Sequence, residues 1–162
     1  VYHGFRIDAE PLDGPARSVL RRRYDIRGDV VMALVGSIEE RKGQKELLGA
    51  MPLIRASCPR AELIIAGDTS GGQAASYERE VRDVVRTYHL EDVVKFVGYR
   101  QHMSDIYQLT DILIVPSRQE PFGRVVVEAL LWGIPVIATR EGGIPEAIGD
   151  SQAVIWIDSR EP

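Results

Sequence analysis

The chain has 162 residues, 44% of them hydrophobic, which suits one globular domain with its own core, or a fragment of something larger. Its 24 acidic and 20 basic residues give a formal charge of −4, whereas a nucleic-acid binder would show a basic excess or stripe. Cys58 is the single cysteine and stands before a proline among apolar residues, so a disulfide within the chain is excluded and a catalytic thiol is not expected. No apolar run approaches the ~18 residues of a membrane span, and nothing resembles a signal peptide. The reducing cytoplasm is therefore the expected compartment.

In chain order, the dense basic run Arg21–Arg23 lies between "DGPARSVL" and "YDIRGD" and reads as a short, charged helix. Two readings of it stand open: a solvated helix face, or a contact with anionic lipid headgroups. Six apolar, β-branched runs follow: Val30–Gly36, Ala61–Gly67, Val93–Gly98, Asp111–Ser117, Ile134–Thr139 and Ala153–Asp158. Runs of this length between turn formers fit strands buried on both faces. Helix-length pieces lie between most of them. "GQKELLGAMPLIRAS" places Leu47, Leu48, Met51 and Ile54 at helical spacing, with Pro52 expected to kink or break it. "YEREVRDVVRTYHL" does the same with Val81, Val84, Val85 and Tyr88, and "MSDIYQLT" is a shorter helix. The alternation predicts an α/β fold: a doubly wound, Rossmann-like parallel sheet of about six strands flanked by helices, with right-handed crossovers. Ligands of such sheets sit beyond the carboxyl ends of the strands, at the switch point. Those ends, "GSIEERKG", "GDTSGGQ", "GYRQ", "PSRQEPFG" and "TREGGIPE", hold the polar and Gly-rich residues.

One crossover carries a carboxylate where none is cheap. "EPFGRVVVEALLWG" (Glu120–Gly133) must join the fourth and fifth strands, so it reads as a helix starting near Gly123 or Arg124 and stopping at Gly133. It is apolar nearly all round, which predicts burial. Glu128 lies inside it and Glu120 precedes it. An ionised group in apolar surroundings needs a partner, and none is obvious nearby, so the partner need not be protein. A helix N-terminus suits a phosphate. A buried glutamate one turn on can accept two hydrogen bonds from a ribose diol, and a second carboxylate can meet sugar hydroxyls or positive charge. Together these describe a sugar nucleotide. The alternative leaves Glu128 as a cap or the partner of an arginine, and Glu120 merely exposed.

Other chemistries find less support. No G-x-G-x-x-G follows the first strand and there is no P-loop. His3, His89 and His102 lack metal-ligand spacing. Ser117 ends a strand but lacks the G-x-S-x-G elbow of a nucleophile.

"PSRQEPFGRVVVEALLWGIPVIATREGGIPEAI" resembles the signature of the retaining, nucleotide-sugar-dependent glycosyltransferases called group 1 or family 4, which have two Rossmann-like domains in the GT-B architecture. The family's paired glutamates, eight positions apart, match Glu120 and Glu128. "VGSIEERKGQKELLGAM", "PRAELIIAGD", "VVKFVGY" and "IYQLTDILIVPS" follow the family order, so the resemblance covers nearly the whole chain. It implies transfer of a sugar from a nucleoside diphosphate to an acceptor hydroxyl, with no catalytic metal and no cofactor. It implies that Glu120 contacts the donor sugar near the anomeric centre and that Glu128 holds the ribose hydroxyls. The amides around Phe122, Gly123 and Arg124 would meet the sugar or its diphosphate, and Lys42 would neutralise that diphosphate. Tyr99 and Arg100 would border the base pocket, and Gly142 and Gly143 would admit the backbone to the cleft.

Two positions depart from the family. After Gly36, at the first strand's end, the usual arginine is Ser37. Arg41 is then either its substitute or a solvated loop charge. The loop "GDTSGGQ" differs from the family's Gly-x-Gly form and leaves the base undetermined. The resemblance also covers only the donor-binding half. It opens where the interdomain linker would lie, at "VYHGFRID", and implies a single donor-binding domain over residues 1–162, either an excised domain or a fragment, binding a donor weakly and transferring nothing alone. The acceptor, a glycan or lipid-linked sugar, would belong to the missing half, and the whole enzyme could touch the inner membrane face peripherally. A sugar-nucleotide epimerase of the same architecture, and a non-catalytic nucleotide-sugar-binding module, remain as rivals.

Overall fold

A computed structural model describes residues 12–69, 73–100, 103–149 and 151–158. His3, His102, the opening "VYHGFRID" and part of the "GDTSGGQ" loop lie outside the described residues. Six strands form one sheet: β1 (Val30–Val35), β2 (Ala61–Ala66), β3 (Val94–Phe96), β4 (Ile112–Val115), β5 (Val136–Thr139) and β6 (Val154–Ile157). Every pairing is parallel, and the order is β3-β2-β1-β4-β5-β6. Among the described residues, six helices flank it: α1 (Gly14–Arg23), α2 (Gln44–Ser57), α3 (Gln73–Thr87), α4 (Ser104–Leu109), α5 (Arg124–Leu131) and α6 (Ile144–Ile148). This is the Rossmann-like fold that the alternation predicts.

The two-residue period of the strands divides the core between the faces. Met32 and Leu34 of β1 and Leu63 and Ile65 of β2 meet Leu47, Leu48 and Met51 of α2 and Tyr77, Val81 and Val85 of α3. The alternate residues Val31, Ala33 and Ile64, with Leu113 and Val115 of β4, meet Leu20 of α1, Ile106 and Leu109 of α4, Val126 and Ala129 of α5, and Ile144 of α6. The helices that follow β1 and β2 thus cover one face, and those that follow β4 and β5 cover the other. The direction of winding reverses between β1 and β4, so the crevice beyond their carboxyl ends is the switch point.

Local chemistry accounts for the ends of α1 and the stop of α5. Asp13 Oδ1 accepts the Ala16 amide at 2.8 Å and Pro15 stands in the first turn of α1. The basic run closes that helix: Arg22 and Arg23 are exposed, and Arg21 turns back to the Gly28 carbonyl. Gly133 (φ 72°) ends α5, as expected. Its amide donates to Leu130 O at 3.0 Å and the Ile134 amide to Ala129 O at 2.9 Å, the two bonds of a Schellman motif.

Some expectations fail. Pro52 does not break α2, which runs on to Ser57. Proline removes one amide, so only the Leu48 carbonyl loses its intrahelical partner, and the buried Leu47, Leu48 and Met51 hold the helix to the sheet. α3 begins at Gln73 and ends at Thr87, earlier at both ends than the apolar pattern suggests. β3 is an edge strand and covers only Val94–Phe96 of its apolar run. α6 lies between β5 and β6, where no helix is expected, because five residues are too few to show a period. Nor is α5 buried all round. Val126 and Ala129 are buried, but Val125, Val127 and Leu130 are half-buried and Leu131 is 49% exposed. The helix lies on the outside of its layer, so only one stripe meets the core. Among the described residues no helix is long and apolar enough to cross a membrane.

Candidate functional site

Two loops meet at the switch point. The first leaves β1 at Gly36, passes a 3-10 turn (Glu40–Lys42) and enters α2 at Gly43. The second leaves β4 through Ser117 and reaches α5 at Gly123. They are laced together. The Arg118 amide donates to the Arg41 carbonyl at 2.8 Å. Arg41 Nη1 donates to Gln119 O at 3.1 Å. Arg118 Nη2 reaches Glu46 Oε1 of α2 at 2.8 Å. Thr139 Oγ1, at the end of β5, donates to Ser117 O at 2.5 Å and ties in the next strand.

Lys42 and Glu120 close the lacing. Lys42 Nζ lies 2.5 Å from Glu120 Oε2, with side chains 10% and 9% exposed. The other oxygen, Oε1, accepts the Gly123 amide at 3.3 Å, just before the first turn of α5. The sequence thus places both residues at the site but does not show that they pair. Gly36 (φ 146°) is where Lys42 folds over β1: a Cβ there would stand 3.3 Å from Lys42 Cε. Gly142 and Gly143 serve the other side of Glu120. The Gly143 amide donates to Glu120 O at 2.8 Å, and a Cβ on Gly142 (φ 57°) would stand 2.1 Å from that same oxygen. These glycines admit the backbone of Glu120 and Pro121 rather than facing open space.

Ser37 and Arg41 share one acceptor. Ser37 Oγ donates to Glu39 Oε1, and Arg41 Nη2 donates to the same atom at 2.7 Å. Burial pushes the Glu39 carboxyl up, but these two donors and the nearby charges outweigh it and hold Glu39 below the usual carboxylate value. Arg41 is 35% exposed and is held at both ends of its guanidinium, by Glu39 and by the Gln119 carbonyl. Gln44, fully buried, donates from Nε2 to Ser37 O at 2.9 Å.

Glu128 has protein partners, as one of the two open readings allows. Its Oε2 accepts the Tyr107 hydroxyl at 2.6 Å, and Arg124 Nη2 lies 3.6 Å from Oε1. The carboxylate is 26% exposed, so it is neither stranded in the core nor costly. Arg124 stands four residues earlier on one helix, a spacing visible in the sequence. Tyr107 stands 21 residues away on α4, and its only sequence signal is a tyrosine hydroxyl in an apolar helix, which needs a partner. Burial, and then donation to Glu128, raise the Tyr107 phenol well above its ordinary pKa, so it remains a donor. Phe122 and Tyr99 are 73% and 71% exposed. Tyr99 follows β3 at its carboxyl end, and Arg100 stands over the Tyr24 ring, 5.9 Å from its centroid.

The switch point therefore joins a buried lysine–carboxylate pair, an anchored arginine and the start of α5, with the partly exposed Glu128 in the second turn of that helix. Such a set can hold a phosphorylated, hydroxyl-rich ligand.

Comparison with known proteins agrees. The family model described as glycosyl transferases group 1 matches residues 17–162. The chain is 31% identical over 152 residues to mannosylfructose-phosphate synthase of Agrobacterium fabrum, covering 91% of this chain and 33% of that protein. It is 35% identical over 136 residues to D-inositol 3-phosphate glycosyltransferase of Corynebacterium kroppenstedtii, covering 82% of this chain and 30% of that one. Among solved structures, Anabaena Alr3699/HepE in complex with UDP and glucose superposes with a TM-score of 0.86 at 30% identity, over 99% of this chain and 44% of that one. The chain thus spans about a third of the length of the curated relatives it matches. With the family model matched over nearly all of its length, the chain belongs to the group 1 glycosyl transferases.

Proposed function

We propose that this chain is the donor-binding domain of a retaining glycosyltransferase, which binds a nucleoside diphosphate sugar and presents it to an acceptor hydroxyl. The observation that carries the reading is the Lys42–Glu120 pair at the switch point, where a cation and a carboxylate meet the first turn of α5. Solved complexes of Alr3699/HepE with UDP and with UDP-glucose support this ligand class. Lys42, with Arg41 in place of the arginine replaced by Ser37, neutralises the diphosphate. Amides at Phe122, Gly123 and Arg124 meet the sugar or the diphosphate. Glu120 stands at the sugar, Glu128 at the ribose and Tyr99 at the base. Charge developing on the departing diphosphate is stabilised by groups already in place, and the reading assigns that work to these cations and amides without a metal. The acceptor, a glycan or lipid-linked sugar, is met by a second domain, in the cytoplasm or at the membrane's inner face.

The test is calorimetry with a small panel of nucleoside diphosphates, those of uridine, guanosine and adenosine, and their 2′-deoxy forms. In Glu128→Gln the tightest ribonucleotide should lose about tenfold in affinity, as expected for a charge-assisted hydrogen bond. Its 2′-deoxy analogue should lose far less. Equal losses for the two would take Glu128 away from the ribose. Binding of none of the diphosphates would refute the reading.

Arg41→Ala tests the diphosphate clamp separately. It should weaken the diphosphate by about 1–2 kcal/mol and leave the nucleoside unchanged. Adding Ser37→Arg should restore part of the loss. Unchanged diphosphate affinity in Arg41→Ala would confine that arginine to holding Glu39 and Gln119.

A further inference from the structure

We infer that Tyr107 is a positioning residue for the ribose-binding carboxylate: its hydroxyl, donated to Glu128 Oε2 at 2.6 Å, orients that carboxylate for the two ribose hydroxyls. This rests on the ribose role proposed for Glu128 and identifies what sets that role up.

Glu128 stands in the second turn of α5 with its side chain 26% exposed. A glutamate so placed has three rotatable bonds and, unheld, samples several rotamers. Arg124 is a weak restraint. Its side chain is 68% exposed, the N···O distance is 3.6 Å, and an exposed pair at this spacing contributes little.

Tyr107 differs in kind. It is 3% exposed, on α4 beside the buried Ile106 and near Leu109. Its ring stacks on Trp132, with centroids 6.4 Å apart and planes 24° apart. Trp132 is the C-terminal cap residue of α5, the helix that carries Glu128. The phenol is thus fixed both by the core and by the far end of Glu128's own helix. The hydrogen bond transfers that rigidity to a carboxylate that lacks it. It also leaves acceptor capacity: a carboxylate has about four lone-pair sites, so Oε2 can take a ribose hydroxyl beside the phenol, and Oε1 another. A bond that only stitched α4 to α5 would affect stability and not the choice between ribose and deoxyribose.

The experiment compares the chain with Tyr107→Phe, which keeps the ring and removes the donor. Each is titrated with UDP and with 2′-deoxy-UDP and 3′-deoxy-UDP, and with the GDP and ADP series in parallel. The tightest ribonucleotide should lose about threefold to tenfold in affinity, part of the worth of a charge-assisted bond, because the loss acts through the position of the carboxylate. The deoxy analogues should lose much less, and the melting temperature should change by only a few degrees. In a Glu128→Gln background, Tyr107→Phe should leave the ribose preference where Glu128→Gln has already put it. Trp132→Leu loosens the ring while keeping the hydroxyl, and should lower the preference even if Tyr107→Phe does not fold. Equal losses for ribo and deoxy ligands, or a fall in melting temperature with the preference intact, would overturn the positioning role while leaving the ribose role of Glu128 standing. A ribose preference untouched by Glu128→Gln would instead sink the ribose role itself, and the positioning role with it.

Discussion

Lys42→Ala should destabilise the fold by about 3–5 kcal/mol, the cost of removing one partner from a buried ion pair. Glu120 is only 9% exposed at its side chain. Without Lys42 its Oε2 loses its cation, while Oε1 keeps only the Gly123 amide at 3.3 Å. The double change Lys42→Met with Glu120→Gln should recover most of the stability, since no charge is then left without a partner. Ligand binding should behave differently. The single change should weaken a nucleoside diphosphate by a further 1.5–3 kcal/mol or so, with little effect on the nucleoside. The double change should not restore it, because methionine cannot neutralise a diphosphate. Denaturant unfolding and calorimetry on the three chains separate the two effects. If Lys42→Ala unfolds within about 1 kcal/mol of the unaltered chain, the pair is screened and contributes little.

Gly142→Ala should cost about 2–4 kcal/mol, and Gly133→Ala about 1 kcal/mol. Both glycines have positive φ, 57° and 72°. An alanine at either position takes a positive-φ penalty. Only one meets an obstacle. A Cβ on Gly142 would stand 2.1 Å from the Glu120 carbonyl oxygen, and a Cβ on Gly133 has nothing within 4 Å. The excess of the first loss over the second is mostly the clash. Relief of that clash must move the Glu120 backbone, so Gly142→Ala should also disturb the Lys42 contact and weaken diphosphate binding. Equal losses at the two positions, read by urea unfolding, would mean that the 140s loop shifts freely and that Glu120 does not depend on it.

The sheet was legible because its strands are largely buried on both faces and so read as nearly unbroken apolar runs between turn formers. β1 and β2 show it best: both runs are nearly continuous in apolar residues and both end at glycine. The helices were legible where the apolar period ran long enough, as in α2, and not in α6, which has five residues. α5 was placed correctly by the need for a crossover, yet its burial was overestimated. An apolar sequence shows what a helix can bury, not what the fold offers to cover it. At the site, single residues were legible and their pairings were not. Lys42 and Glu120 lie 78 residues apart, and Tyr107 and Glu128 lie on different helices. Contacts of that range are fixed by strand order, which a local pattern does not encode. Glu39 was missed because an acidic residue in a charged loop looks the same whether it is solvated or, as here, accepts from Ser37 and Arg41.

The lacing of the two loops limits how this domain can be redesigned. Arg118 on Arg41, Arg41 on Gln119 and Lys42 on Glu120 all run from one loop to the other. A transplant that brings residues 37–43 from a relative would land opposite a segment shaped for different side chains, and the same holds for 117–123. The two segments are therefore a matched pair, and chimeras that exchange both together are the ones expected to fold and, on the proposed function, to bind a donor.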